Sequence, residues 1–152
     1  MVLAGISQGC VVGIFALLAS GMQIGGFVGL CGLLPLAEEL NSVMCVPGRA
    51  QDVTKTPVLF QHRKDDQVVP VENGEDLRKR LEEMIMQVKF DRFDDGGHWL
   101  NEPLGMDRVV RFIQKVFQHV QDIRQSRQVI FSSHHTCSRC HSSSVFAIYQ
   151  ML

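Results

Sequence analysis

The sequence predicts an α/β protein built on a doubly wound, mostly parallel sheet, and three observations predict it. Short apolar runs alternate with helix-length segments from the first residue to about residue 121. One of those runs, residues 26–34, is apolar throughout, as a strand covered on both faces is. The residue types that carry chemistry then fall in the loops just after the runs, where a parallel sheet gathers the carboxyl ends of its strands at one rim.

The first run, Val2-Leu3-Ala4, leads into Gly5-x-Ser7-x-Gly9 and then into a second apolar stretch from Val11 to Ser20. Strand, sharp turn and helix in that order make a nucleophile elbow, which holds its serine in a strained backbone. The expectation is that a β-carbon two residues to either side would collide with the neighbouring strand or helix. Val11, Val12, Ile14, Phe15, Leu17 and Leu18 leave the following helix no polar face, so it should be covered on most of its surface and end near Gly21. Gly26 to Leu34, closed by Pro35, reads as a buried strand, and Glu38 to Thr56 as loop with a turn at Pro47-Gly48.

Thr56 to His62 reads as the next strand, and Arg63 to Pro70 as a charged loop. From Gly74 to Met86, Leu77, Leu81, Met84 and Ile85 recur at helical spacing, with Glu75/Lys79 and Asp76/Arg80 four apart on the other side. Val88 to Phe93 is a short strand, followed by the turn-rich Asp94-Asp95-Gly96-Gly97-His98-Trp99. The last helix is expected over 107–121, with Val109, Val110, Ile113, Val116, Phe117 and Val120 facing in and Arg108, Arg111 and Lys115 facing out.

Composition narrows the class. With 152 residues, 45% apolar and 20% charged, the chain can bury a sizeable core as one domain. A net charge of -1, with the fifteen Lys and Arg scattered, argues against nucleic acid as a partner. The start from Met1 to Gln23 lacks the basic stretch and cleavage site of a signal peptide, and Ser7 and Gln8 interrupt its apolar run, so no membrane span is expected. Cys10, Cys31 and Cys45 sit in apolar text and read as buried thiols, which suits a reducing, cytoplasmic setting.

Three loops therefore carry chemistry: Ser7, the pair Asp65/Asp66, and His98. Nucleophile, acid and base in that order is the order of the α/β-hydrolase triad. A serine hydroxyl is a weak nucleophile until a neutral imidazole takes its proton, and a buried carboxylate fixes that imidazole's tautomer. The bland readings make His62 structural, His119 a surface residue, Asp94 and Asp95 turn residues, Trp99 a packing residue, and Met84 and Met86 core.

Gly5-Ile6-Ser7-Gln8-Gly9, Gly29-Leu30-Cys31-Gly32-Leu33-Leu34-Pro35-Leu36, Thr56-Pro57-Val58-Leu59 through His62 to Asp66-x-Val68-Val69-Pro70, and Gly96-Gly97-His98-Trp99 together resemble the phospholipase/carboxylesterase family that includes acyl-protein thioesterases. His98 to Pro103 is most similar to its fungal members, and the resemblance runs from Met1 to about Val120. It implies a partial α/β-hydrolase fold, with residues 1–121 as the carboxyl-terminal portion of the domain. It implies Ser7 as nucleophile, Asp66 rather than Asp65 as acid, His98 as base, and the Gln8 backbone N–H as an oxyanion donor. The activity it implies is cleavage of carboxylic thioesters or esters in acylated proteins, lipids or small esters, through an acyl-enzyme and with no metal or cofactor.

Two departures stand out. Family members usually carry Gly and Asp after the histidine matching His62, where this chain has Arg63 and Lys64, so the turn presenting Asp66 is expected to differ. Met1 falls inside the elbow strand, so the earlier strands and the loop with the second oxyanion N–H are expected to be missing. Losing one such donor costs on the order of 100-fold to 1,000-fold in rate. The alternative is accordingly a non-catalytic fragment that binds a partner across an open sheet edge or through its tail. That tail, 122–152, contains Ser132-Ser133-His134-His135-Thr136-Cys137-Ser138-Arg139-Cys140-His141. Its Cys-x-x-Cys-His spacing matches haem attachment and its Cys/His content zinc, but haem attachment needs export and a haem fold and a zinc site two separated ligand pairs, so the segment reads as an atypical, disordered tail.

Overall fold

The computed structural model describes residues 1–34 and 52–133, with side chains to residue 126. The chain divides into two compact units, Met1–Gln118 and His119–Leu152. In the first, β1 (Val2–Ile6), β2 (Gly26–Leu30), β3 (Val58–Arg63) and β4 (Val88–Phe93) form one sheet in the order β1-β2-β3-β4. Every pairing is parallel, with Val2 opposite Gly26, Phe27 opposite Val58 and Val58 opposite Val88. The expected parallel α/β sheet is thus present, and β1 and β4 are its edges among the described residues.

Side chains alternate across a strand, which is why an uninterrupted apolar run feeds two cores. On one face Phe27, Val58 and Phe60 pack with Cys10, Ile14, Leu17 and Leu18 of α1 (Gln8–Ser20) and with Leu77 and Leu81 of α2 (Val71–Glu83). On the other, Val28 and Leu59 meet Val109 of α3 (Leu104–Ser133). Helices on both faces make the sheet doubly wound. A 3-10 turn, Asp52–Lys55, adds Val53 to the first core.

The helices depart from expectation where apolar content alone was the guide. α1 ends as expected at Gly21, whose φ of 68° only glycine adopts without strain. It is covered on one side only, however: Val12 is 62% exposed, and Ala16 and Ala19 are exposed too. Lying as a single layer on the sheet, it has nothing on its outer flank among the described residues. α2 starts at Val71, earlier than its apolar spacing suggests, because Pro70 fixes the entry. Gly74 lies inside it because a β-carbon there would sit 2.5 Å from the His62 ring. Its ion pairs are Asp76–Lys79, Arg78–Glu82 and Arg80–Glu83, with Glu75 reaching Arg92 on β4, not the expected Glu75/Lys79 and Asp76/Arg80. Met86 is buried and Met84 partly so, as expected, whereas Ile85 is exposed.

α3 begins at Leu104 because the Asn101 side chain accepts the Gly105 N–H at 2.9 Å while Gln61 donates to the Gly105 carbonyl. It continues to Ser133, past the expected end near 121. Val109 and Val116 are buried and Ile113 and Phe112 partly so, but Val110 and Phe117 are about half exposed, a correction to the expected inward face. Each is one step of ~100° beyond a buried valine, which rotates it off the sheet. Val116→Ala should therefore lower stability by about 2 kcal/mol, whereas Phe117→Gln should change it by no more than about 0.5 kcal/mol, read by urea unfolding.

Candidate active site

Ser7 occupies the turn between β1 and α1 with φ 52° and ψ -121°, a conformation a residue with a side chain adopts only under strain. Its N–H donates to the Leu30 carbonyl at 2.8 Å, and its own carbonyl accepts the Cys10 N–H at 3.0 Å. The two elbow glycines are not equivalent. A β-carbon on Gly5 would be driven into the Gly9 carbonyl, but one on Gly9 would meet nothing within 4 Å. Only the first was needed for space, because Gly5 faces the first turn of α1 while Gly9 is exposed. Gln8 is exposed and opens α1, so its N–H is one of the first-turn amides that have no partner inside the helix.

His98 lies between Ser7 and Asp66. Its Nε2 is 2.8 Å from Ser7 Oγ and its Nδ1 is 2.8 Å from Asp66 Oδ2. A carboxylate only accepts, so Nδ1 carries the proton and Nε2 is left to accept from the serine hydroxyl. The Asp66 side chain has no solvent exposure. Its Oδ1 accepts the N–H groups of Val68 and Val69, both at 2.9 Å, and His62 Nε2 lies 3.3 Å from Oδ2. Burial pushes the Asp66 carboxyl up, but the Val69 N–H, the His98 ring and the Val68 N–H outweigh it and hold it below the usual carboxylate range. His62 is buried and binds the Val69 carbonyl at 2.8 Å, a structural placement, and His119 is exposed.

Asp65 takes a different place. It is exposed, and its two oxygens accept the N–H groups of Gly96 and Gly97, each at 2.9 Å. Those bonds, Gly97 first, lower its carboxyl. Arg63 donates to the carbonyls of Asp95 and Leu100, one on each side of His98, and its guanidinium lies where any β-carbon of Gly96 would be. Lys64 pairs with Asp94 at 2.5 Å. The residues expected to alter the turn at Asp66 leave Asp66 on His98 and instead fasten the histidine loop to β3. Sequence reasoning missed this, although a charged cluster beginning at Arg63 and an Asp-Asp-Gly-Gly turn were both visible in it.

Trp99 is 64% exposed, which corrects its reading as a packing residue. Cys10 and Cys31 are buried free thiols, as expected, while Cys45 lies outside the described residues. Burial pushes the Cys10 thiol up to about 12 and, with repulsion from Asp66, the Cys31 thiol up to about 11. Among the described residues, Cys31, Asp66 and His98 form a cluster that could hold a metal ion. The haem and zinc spacings at Cys137, Cys140 and His141 lie outside the described residues.

A family model described as phospholipase/carboxylesterase matches residues 1–117. Acyl-protein thioesterase 1 of Aspergillus fumigatus is 28% identical over 123 residues, covering 80% of this chain and 49% of its own length. A probable inactive carboxylesterase of Oryza sativa subsp. japonica is 34% identical over 112 residues, covering 74% and 43%. The crystal structure of acyl-protein thioesterase 2 from Zea mays is similar with a TM-score of 0.66 at 25% identity, covering 74% of this chain and 54% of that one. The chain spans about half the length of the curated relatives it matches.

Two outcomes follow from the site's geometry. Gly5→Ala should destabilise the fold by about 1–3 kcal/mol, while Gly9→Ala should be neutral or stabilise it by up to about 1 kcal/mol, both read by urea unfolding. Because the folded carboxyl of Asp65 is depressed, its support of the histidine loop is fully present above the unfolded value of ~3.9 and is lost as pH falls through the lower folded value. Protection of the Gly96 and Gly97 amides from exchange, measured against an unstructured peptide at the same pH, should therefore fall on acidification over that window, and Asp65→Asn should lower it already at neutral pH.

Proposed function

The chain belongs to the phospholipase/carboxylesterase family, and on that premise we propose that it is a serine hydrolase of carboxylic thioesters or esters working through an acyl-enzyme. The observation that carries this reading is the continuous hydrogen-bonded line from Ser7 Oγ through the His98 ring to the buried Asp66 carboxylate. Ser7 Oγ attacks the acyl carbon as its proton passes to His98 Nε2, and Asp66 stabilises the imidazolium. The oxyanion faces the Gln8 N–H at the positive end of α1. The leaving thiol or alcohol takes the proton from Nε2. Water then enters by the same base and releases the acid, leaving Ser7 as it began.

Relatives named acyl-protein thioesterases support acylated proteins as the substrate class, with lipids and small esters as the alternatives. No helix among the described residues is long and apolar enough to cross a membrane. Two buried free thiols support a cytoplasmic setting. In this reading residues 122–152 take no part in the chemistry, which Ser7, His98, Asp66 and the Gln8 N–H carry.

A second reading is favoured by a specific observation. β1 presents an unpaired edge among the described residues, and one relative is named a probable inactive carboxylesterase. A fragment that binds a partner along that edge would share the fold without the turnover. Labelling with a fluorophosphonate separates the two. The hydrolase reading expects one equivalent on Ser7, none in Ser7→Ala, none in His98→Ala, and labelling slower by on the order of 10,000-fold in Asp66→Asn. A well-folded chain that takes up no label would favour the partner-binding fragment.

A further inference from the structure

Among the described residues, Cys31 places a thiol beside the Ser7–His98–Asp66 line, and the proposed chemistry does not use it. It follows β2 directly, is buried, and has φ 48°, a conformation that a side-chain-bearing residue seldom adopts. Its thiol lies 3.5 Å from the Trp99 carbonyl. One ligand atom each from Cys31, Asp66 and His98 can be chosen so that all lie within 4.8 Å of one another.

We propose that Cys31, Asp66 and His98 form an inhibitory site for a thiolate-seeking divalent cation, Zn²⁺ being the best match. Sulfur, imidazole nitrogen and carboxylate oxygen are the three donor types zinc takes from proteins. At bond lengths of about 2.3, 2.0 and 2.0 Å a tetrahedral ion holds such donors roughly 3.3–3.6 Å apart. The Asp66–His98 pair, 2.8 Å apart, would have to open by about half an ångström, and the sulfur would close in. Oxygen-seeking Mg²⁺ and Ca²⁺ have no reason to choose a site with one carboxylate and a thiol. Tetrahedral coordination leaves a fourth position for water, and the His98 side chain, 19% exposed, is the part of the site that reaches solvent.

The inhibitory consequence rests on the hydrolase reading; the site itself does not. An ion taken up at Nδ1 uses that nitrogen's lone pair, so the ring's single proton moves to Nε2. The Cys31 thiol proton leaves to solvent. Nε2 then donates where it had accepted, and Ser7 has no base. The site would make this hydrolase one that free zinc switches off and a chelator restores.

The test uses the full chain carrying Cys137→Ser and Cys140→Ser, so that tail thiols contribute nothing. Co²⁺ should bind at one equivalent with a thiolate-to-cobalt charge-transfer band, and the band should vanish in Cys31→Ser and in Cys31→Ala. Zn²⁺ affinity should fall by on the order of 100-fold in both. Zn²⁺ should also block fluorophosphonate labelling of the parent and not of Cys31→Ser. A band that survives in both Cys31 variants, or that never appears in a folded parent, overturns the proposal. A Cys31-dependent band in a chain that does not label even with chelator would uphold the site and sink the hydrolase reading alone.

Discussion

The carboxylate of Asp66 is the constraint on which the rest of the site depends. It has no contact with solvent, so every lone pair must find a donor inside the protein or the charge cannot stay. Two backbone N–H groups of its own loop take one oxygen, and the other meets His98 with His62 beside it. That requirement reaches across the sheet. It brings a loop after β4 to a loop after β3, and the second nitrogen of the same ring then meets a turn after β1. A parallel sheet makes this possible, since all three carboxyl ends lie at one rim.

β2 stands between β1 and β3 and serves the rim in two ways. Its last carbonyl, Leu30, accepts the N–H of Ser7 and so pins the strained turn. The residue after it, Cys31, puts a thiol beside Asp66 and His98. The adjacent aspartates divide the labour. Asp66 turns inward to the ring, while Asp65 turns outward and takes the N–H groups of Gly96 and Gly97. With Arg63 bound to Asp95 and Leu100, the loop carrying His98 is fastened on both sides of the histidine. A base positioned within hydrogen-bond reach needs such support, because an imidazole on a free loop would spend little time at the serine.

Much of this was legible in the sequence. The uninterrupted apolar text of residues 26–34 announced a strand buried on two faces, and the elbow glycines, the order serine-aspartate-histidine and the turn before His98 announced the rim. What stayed hidden depends on neighbours. That Gly5 is sterically required and Gly9 is not follows from which of them faces the first turn of α1. The exposed flank of α1 at Val12, and of α3 at Val110 and Phe117, could not be read from apolarity, because hydrophobic text says what can be buried and not what arrives to cover it. Arg63 looked like a disturbance to the Asp66 turn because its acceptors, two backbone carbonyls more than thirty residues away, have no signature in sequence.

The account turns on Ser7 becoming covalently acylated with His98 as its base. Intact-mass measurement of the full chain, quenched soon after mixing with a long-chain acyl thioester, tests this most directly. The account predicts a mass gain of one acyl group, mapped by peptide sequencing to Ser7 and decaying as free acid appears. A folded chain that never gains that mass, or gains it equally well on another residue when Ser7 is alanine, would contradict it.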